Sequence, residues 1–289
     1  MHKPWKSAIL AAVFAAPALG QQPQPVRLPQ VSPAASIKQT VGVNDVTITF
    51  SRPGVKGRKI WGELVPYGKV WRTGANAATT IQFSEDVLVE GQPLPAGTYS
   101  LHTIPGEKEW TLIVNKEANQ WGSYSYKPEQ DAVRVKLTPG PGQPNEWMSF
   151  LFEDLTANSA RVVLSWENLQ VPFTIKNQTD TDVKVVGMLR ESVAKAKPDD
   201  WQTLYRGANY LLQNKLSMDE AAAWLDKALA IKRTPQGHYA KARLLEATGK
   251  TREAVAELDK ALEAAVPDTS PAFLEEIRNT KKTWSERKA

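Results

Sequence analysis

From Val41 to about Lys176, apolar and polar residues alternate with a period of two. Val46, Ile48 and Phe50 alternate with Thr47 and Thr49, and Val133, Val135 and Leu137 with Arg134, Lys136 and Thr138. Val162, Leu164 and Trp166 follow the same rule, as do Val171, Phe173 and Ile175. Successive side chains of a strand point to opposite faces, so this pattern predicts half-buried strands. Trp110–Val114 and Met148–Phe152 are apolar on both faces, which predicts central strands. Gly97–Ile104 reads as a strand with Tyr99, Leu101 and Thr103 on one side and Ser100, His102 and Ile104 on the other. Turn signals fall at Glu90-Gly91, Pro95-Ala96-Gly97, Pro105-Gly106 and Pro139-Gly140-Pro141-Gly142. About nine or ten short strands at this spacing indicate an antiparallel β-sandwich or jelly roll.

Past a polar hinge at Asn177–Asp182 the period becomes helical, with Leu204, Ala208, Leu211 and Leu212 on one face. An internal repeat follows at an offset of 33 residues: Leu211-Leu212 matches Leu244-Leu245, Ala221 matches Ala254, and Leu225–Leu229 (LDKAL) recurs unchanged at Leu258–Leu262. This is close to the tetratricopeptide period of about 34 residues. Pro235 and Pro267 fall where one helix pair hands over to the next, and flanking helices at about Val183–Ala196 and Pro271–Arg287 are expected to cap the array. The fold class is therefore α+β multidomain. An antiparallel β-sandwich or jelly-roll-like domain over residues 37–177 precedes a short all-α tetratricopeptide-like repeat domain over residues 183–289.

Ahead of these domains, residues 1–20 read as a signal peptide. His2, Lys3 and Lys6 supply a positive start, Ala8–Ala16 an apolar stretch, and Ala18-Leu19-Gly20 the small residues for cleavage after Gly20. The apolar stretch is too short to span a bilayer, and no other stretch is expected to cross one. Residues 21–36, with Pro23, Pro25, Pro29 and Pro33, read as an extended linker. A periplasmic or secreted location is expected. The chain has no cysteine, which excludes disulfides, thiolate catalysis and cysteine metal ligands. The formal net charge of +5 loses two units with Lys3 and Lys6 and is interspersed with acids, so no nucleic-acid partner is expected.

The least scaffold-like stretch is Ser51–Phe83. It carries Arg52, Lys56, Arg58, Lys59, Lys69 and Arg72 beside Trp61, Tyr67 and Trp71. Trp61, Tyr67 and Trp71 could form a stacking platform, with Trp110, Trp121, Tyr124 and Tyr126 as further aromatic supply. Arg52, Arg58 and Arg72 suit carboxylate or phosphate clamping, because a planar guanidinium makes two parallel hydrogen bonds. Arg72 follows an apolar strand and opens the turn-prone loop Arg72–Asn76, or else pairs with Glu63 or Glu85 to tie that loop down. His102 either lines a cleft as a proton or hydrogen-bond donor or is satisfied by a neighbouring backbone group. The sequence holds no G-x-S-x-G, no H-E-x-x-H and no phosphate-cradling glycine loop. No cofactor and no metal site is expected.

The motif S-R-P-x-x-K-G-R-x-I-W-G-E-L-V-P-Y-G-K-V-W-R-T-G-A-N-x-A-T at Ser51–Thr79 resembles the hallmark of a bacterial family known as domain of unknown function 2911. The resemblance continues through Leu94–Leu101, Trp110–Asn115, and Trp121-Gly122 followed by Tyr124, covering about Ile37–Lys176. It implies an exported, β-rich domain, often with tetratricopeptide-like helices behind it, and it implies no activity. The expected function is a non-enzymatic binding or adaptor protein of the envelope. Its ligand, an envelope glycan, a peptide or a small anion, would sit against Arg52, Trp61, Trp71, Arg72, Asn76 and His102, and a protein partner at the helical repeat. The alternative is a glycan-directed hydrolase or lyase, with His102 or Glu63 as general acid/base and Arg72 stabilising negative charge.

Overall fold

The computed structural model describes residues 28–287, so the expected signal peptide and residues 21–27 of the expected linker lie outside the described residues. Among the described residues, ten strands form two antiparallel sheets. The strands are β1 (Ala34–Val41), β2 (Asn44–Ser51), β3 (Thr79–Phe83), β4 (Val87–Val89), β5 (Gln92–Leu94), β6 (Gly97–Ile104), β7 (Trp110–Asn115), β8 (Asp131–Leu137), β9 (Gly140–Glu153) and β10 (Ser159–Asn177). The six-stranded sheet runs β1-β2-β3-β6-β7-β8 and the four-stranded sheet β5-β4-β10-β9. Their inner faces supply one core: Val46, Ile48, Phe50, Ile81, Leu101 and Leu112 from the larger sheet meet Val89, Met148, Phe150, Leu164, Val171 and Phe173 from the smaller. Phe50 and Phe150 meet edge to face, ring centroids 5.0 Å apart.

Several local expectations are corrected. The strand β1 begins at Ala34, inside the stretch expected as linker. It is an edge strand whose residues are exposed or half-buried up to Thr40, so it carries little hydrophobic alternation to read. Met148–Phe152 belongs to β9, which is also an edge strand, and Leu151 there is exposed. Gly140-Pro141-Gly142 is not a turn. It opens β9 and pairs irregularly with Leu169 and Gln170 of β10, at the sheet edge where proline is tolerated. The two runs around Trp166 and Phe173 are one continuous strand, bent between Ser165 and Leu169 by bulges around Glu167 at φ 56°. No strand leads up to Trp71, which joins β6 through one bridge to Thr103.

The helices are α1 (Thr181–Lys195), α2 (Trp201–Gln213), α3 (Met218–Ile231), α4 (Pro235–Ala247), α5 (Thr251–Glu263) and α6 (Pro271–Glu286). Asp180 and Asp200 cap α1 and α2 through their carboxylates, and Thr234 caps α4 ahead of Pro235, whose missing N–H costs nothing in a first turn. The repeat is visible in the packing. Ala221 and Ala254, Leu225 and Leu258, and Ala228 and Ala261 occupy equivalent, fully buried positions on α3 and α5.

The expected hinge at Asn177–Asp182 is a pinned junction. Asn177 Nδ2 donates to the Val41 carbonyl at 3.0 Å, and Thr181 Oγ1 donates to the Ala157 carbonyl at 2.6 Å. The Thr181 amide donates to Asn158 Oδ1 at 2.6 Å, Asn158 Nδ2 returns to Asp180, and Lys184 pairs with Glu85. Gly42, at φ 63°, lets this knot close: a Cβ there would sit 2.1 Å from Thr181 Oγ1 and 2.5 Å from the Ala157 carbonyl. Gly91, at φ 80°, carries the same backbone demand with nothing within 4 Å. Gly42→Ala is therefore expected to lose roughly 2–4 kcal/mol, strain plus overpacking, and Gly91→Ala about 1 kcal/mol, strain alone, measured by urea unfolding. Equal losses would show that the junction yields freely.

Candidate functional site

Between β2 and β3, residues Arg52–Ala78 wrap one end of the two-sheet stack without forming regular strands. They are held by isolated bridges, Gly54 to Trp147 and Trp71 to Thr103, and by aromatic packing. Trp61, Trp71, Trp110 and Trp166 form one cluster with centroid separations of 5.0 to 6.4 Å. Trp71 and Trp166 are stacked, 20° from parallel, while Trp61 meets all three partners edge-on. Beside the cluster, Thr73 is fully buried at φ 51°, an outlier for a β-branched residue. Its Oγ1 donates to Thr103 Oγ1 at 3.1 Å, and its carbonyl accepts from Thr79 Oγ1 at 2.7 Å.

These contacts shape an open cleft of about 430 Å³. Half-buried Trp71, backed by the buried Trp166, forms its aromatic floor, Lys56, Arg58 and Arg72 its cationic lining, and Val31 and Ser32 one wall. Among the described residues no carboxylate lines it. The acid touching its wall is Glu146, which accepts the Lys56 backbone N–H at 2.9 Å. Arg58 spends two of its N–H groups on the Gly54 and Val55 carbonyls. Arg72 has no ion-pair partner among the described residues, and its Nε is buried with no acceptor in reach. A buried guanidinium N–H without an acceptor costs on the order of 1–3 kcal/mol, and a guanidinium with no ion pair among the described residues suits an anionic oxygen at its Nη groups.

The predicted site residues are partly brought together. Trp71, Arg72 and Asn76 line the cleft. Asn76 is a wall anchor: at φ 59°, its Nδ2 donates to the Ser32 carbonyl at 3.2 Å and to Ser51 Oγ at 3.3 Å. Trp61 lies behind the floor rather than in it. Arg52 is a structural clip whose Nε donates to the Met148 carbonyl at 2.8 Å, tying the exit of β2 to β9. Glu63 pairs with Lys59 and Glu85 with Lys184, so neither restrains Arg72. Trp166 was missed because it lies far along the chain on β10, with no local signal separating a cleft floor from core.

His102 is not in the cleft. It sits on the outer face of the six-stranded sheet, fully buried beneath the segment between β7 and β8. Nδ1 lies 3.1 Å from Ser123 Oγ and Nε2 3.2 Å from Ser100 Oγ, which also accepts from Gln120 Nε2. Burial pulls its pKa down to about 4, against a weaker upward pull from Asp131. It is therefore satisfied by neighbouring side chains, neutral at physiological pH, and out of reach of any ligand in the cleft.

The fold is thus that of a two-sheet antiparallel β domain with a helical repeat behind it. Residues 32–175 match the model of a family described as "Protein of unknown function (DUF2911)", and the chain belongs to that family through its β domain. No curated protein and no solved structure matches the chain.

The His102 environment has a measurable consequence. The folded state holds the ring neutral down to about pH 4, whereas the unfolded ring protonates near 6.5. Between these values the unfolded chain binds more protons, so stability falls as pH drops from about 6.5 towards 4, by up to about 3 kcal/mol. His102→Asn is expected to lack that part of the slope in urea titrations at pH 7 and 4.5. An unchanged slope would show that the ring is not desolvated.

Proposed function

We propose that this protein is an exported, non-enzymatic binding protein whose β domain holds a small anionic ligand or anionic group in the Trp71–Asn76 cleft, with the helical repeat presenting a surface to a protein partner. One observation carries the reading: Arg72 lines a cleft with two further cations and, among the described residues, no carboxylate, and its buried Nε lacks an acceptor. Cations held in a rigid, partly dry recess repel one another unless an anion joins them, and Arg72 can offer its fork to a carboxylate or phosphate. Half-buried Trp71, stacked on the buried Trp166, adds an apolar surface against the body of the ligand.

The alternative, glycan cleavage with His102 or Glu63 as proton carrier, has less support. His102 is sealed on the far face of the six-stranded sheet, and Glu63 is an exposed partner of Lys59. Neither lines the cleft that holds Arg72. General acid–base catalysis needs a group within hydrogen-bond reach of the reacting atom.

The test is calorimetry and thermal shift of the wild-type chain with phosphate, citrate and acidic oligosaccharides and peptides. At least one anion is expected to bind, more weakly as salt is raised, and Arg72→Ala is expected to lose tenfold or more in affinity. Arg72→Lys should recover little, because a point charge does not replace the fork. Absence of any anion binding, or binding indifferent to Arg72→Ala, would overturn the proposal.

A further inference from the structure

The segment between β7 and β8 inverts the usual rule of burial. Gln120 is buried and Ser123 half-buried, while Trp121 and Tyr124 stand 66% and 85% exposed. Folding gains little from a solvated indole, and burying a primary amide requires hydrogen bonds to compensate. The polar residues are indeed anchors. Gln120 Nε2 donates to the Glu117 carbonyl at 2.7 Å and to Ser100 Oγ at 3.2 Å, and Ser123 Oγ bonds His102. Tyr126 OH donates to Asp131 at 2.8 Å. The result is a segment nailed down from below that presents two aromatic side chains outward.

This segment is stitched to the cleft loop. Ala77 and Trp121 form a bridge, the Gly122 amide donates to the Asn76 carbonyl at 3.1 Å, and the Ala78 amide to the Gln120 carbonyl at 3.0 Å. Gly122, at φ 68°, lies between the two sites. A Cβ there would be 2.9 Å from the Tyr124 ring and 3.4 Å from Arg72 Nη1. Only a glycine lets the Arg72 guanidinium and the Tyr124 ring close over this buried position side by side, with Trp121 next to it in the chain.

From this juxtaposition we propose that the ligand is an acidic saccharide, its carboxylate held by Arg72 and its sugar rings lying on Tyr124 and Trp121. The inference rests on the anion-binding reading of the cleft and narrows it. Charge complementarity selects an anion, since Lys56, Arg58 and Arg72 line the cleft and no carboxylate does among the described residues. The chain neighbours of the two exposed rings are Gly122, Ser123 and Ser125, which are small or carry hydroxyls. Flat rings edged by hydroxyls suit the apolar face of a pyranose, whose rim of hydroxyls stays hydrogen-bonded to water.

The test measures binding of trigalacturonate, its neutral counterpart galactotriose, inorganic phosphate and a capped tri-aspartate peptide to the wild-type chain and to Trp121→Ala, Tyr124→Ala and Arg72→Ala. Both aromatic positions are exposed, so these variants are expected to fold, with circular dichroism as the check. Trigalacturonate is expected to bind tightest. Trp121→Ala and Tyr124→Ala should each weaken it roughly tenfold while leaving phosphate unchanged, and Arg72→Ala should weaken both. Phosphate binding that depends on Arg72, with trigalacturonate no tighter or indifferent to Trp121 and Tyr124, would overturn the saccharide assignment and leave the anion cleft standing. Galactotriose binding as tightly, or the peptide binding more tightly, would likewise overturn it. No binding of trigalacturonate, phosphate or the peptide would remove the cleft reading itself.

Discussion

The tryptophan cluster at one end of the β domain is the constraint on which the rest of the site depends. Residues Arg52–Ala78 have no ladder to hold them, and a connection of that length in a compact domain needs another source of order. Trp61 and Trp71 supply it by packing into Trp110 on β7 and Trp166 on β10. An indole removes on the order of 150–250 Å² from water when fully buried, so the half-buried Trp61 and Trp71 still contribute about 2–4 kcal/mol each of transfer free energy. That is enough to offset the left-handed backbone at Thr73 and Asn76, each strained by roughly 1–3 kcal/mol. The loop is thereby held in a conformation it would not adopt alone, and Arg72 is carried into a recess with its Nε dry.

A second layer of order lies on the outer face of the larger sheet. Ser100, His102 and Asn115 would be solvated on an open sheet, but here they are fully buried. They bind the crossing segment through Gln120, Ser123 and the Lys127 carbonyl. The paired members of this polar network specify one geometry, and only Gln120 Oε1 among these anchors is buried without a partner. It makes the segment rigid without using its aromatic residues, and leaves Trp121 and Tyr124 outward beside Arg72. The His102 ring, which in sequence resembled a proton carrier, serves as an anchor.

Much of the architecture was legible because it follows from local periodicity. Strict alternation located β2, β8 and both arms of β10, and the LDKAL repeat placed α3 and α5 in register. Where the reading failed, the cause was tertiary. An edge strand such as β1 needs no apolar face to pair, a bulge at Glu167 looks like a break between two strands, and Asn177–Asp182 looks flexible until Gly42, Ala157 and Asn158 close around it. Within the site, Trp71, Arg72 and Asn76 stood out as an unusual local composition, whereas Trp166 did not.

What the sequence determined by itself is the order of the two domains, most of their elements and the family to which the β domain belongs, since these depend on residue spacing and on a contiguous motif. What only the tertiary structure decided is which way each candidate side chain points. Arg52 and Arg72 are indistinguishable as residues, yet one meets the Met148 carbonyl and the other an open cleft. His102 lies one residue from Thr103, the bridge partner of Trp71, yet it faces the other side of the sheet. A strand sends neighbouring residues to opposite faces, and what waits on each face is set by chain segments distant in sequence.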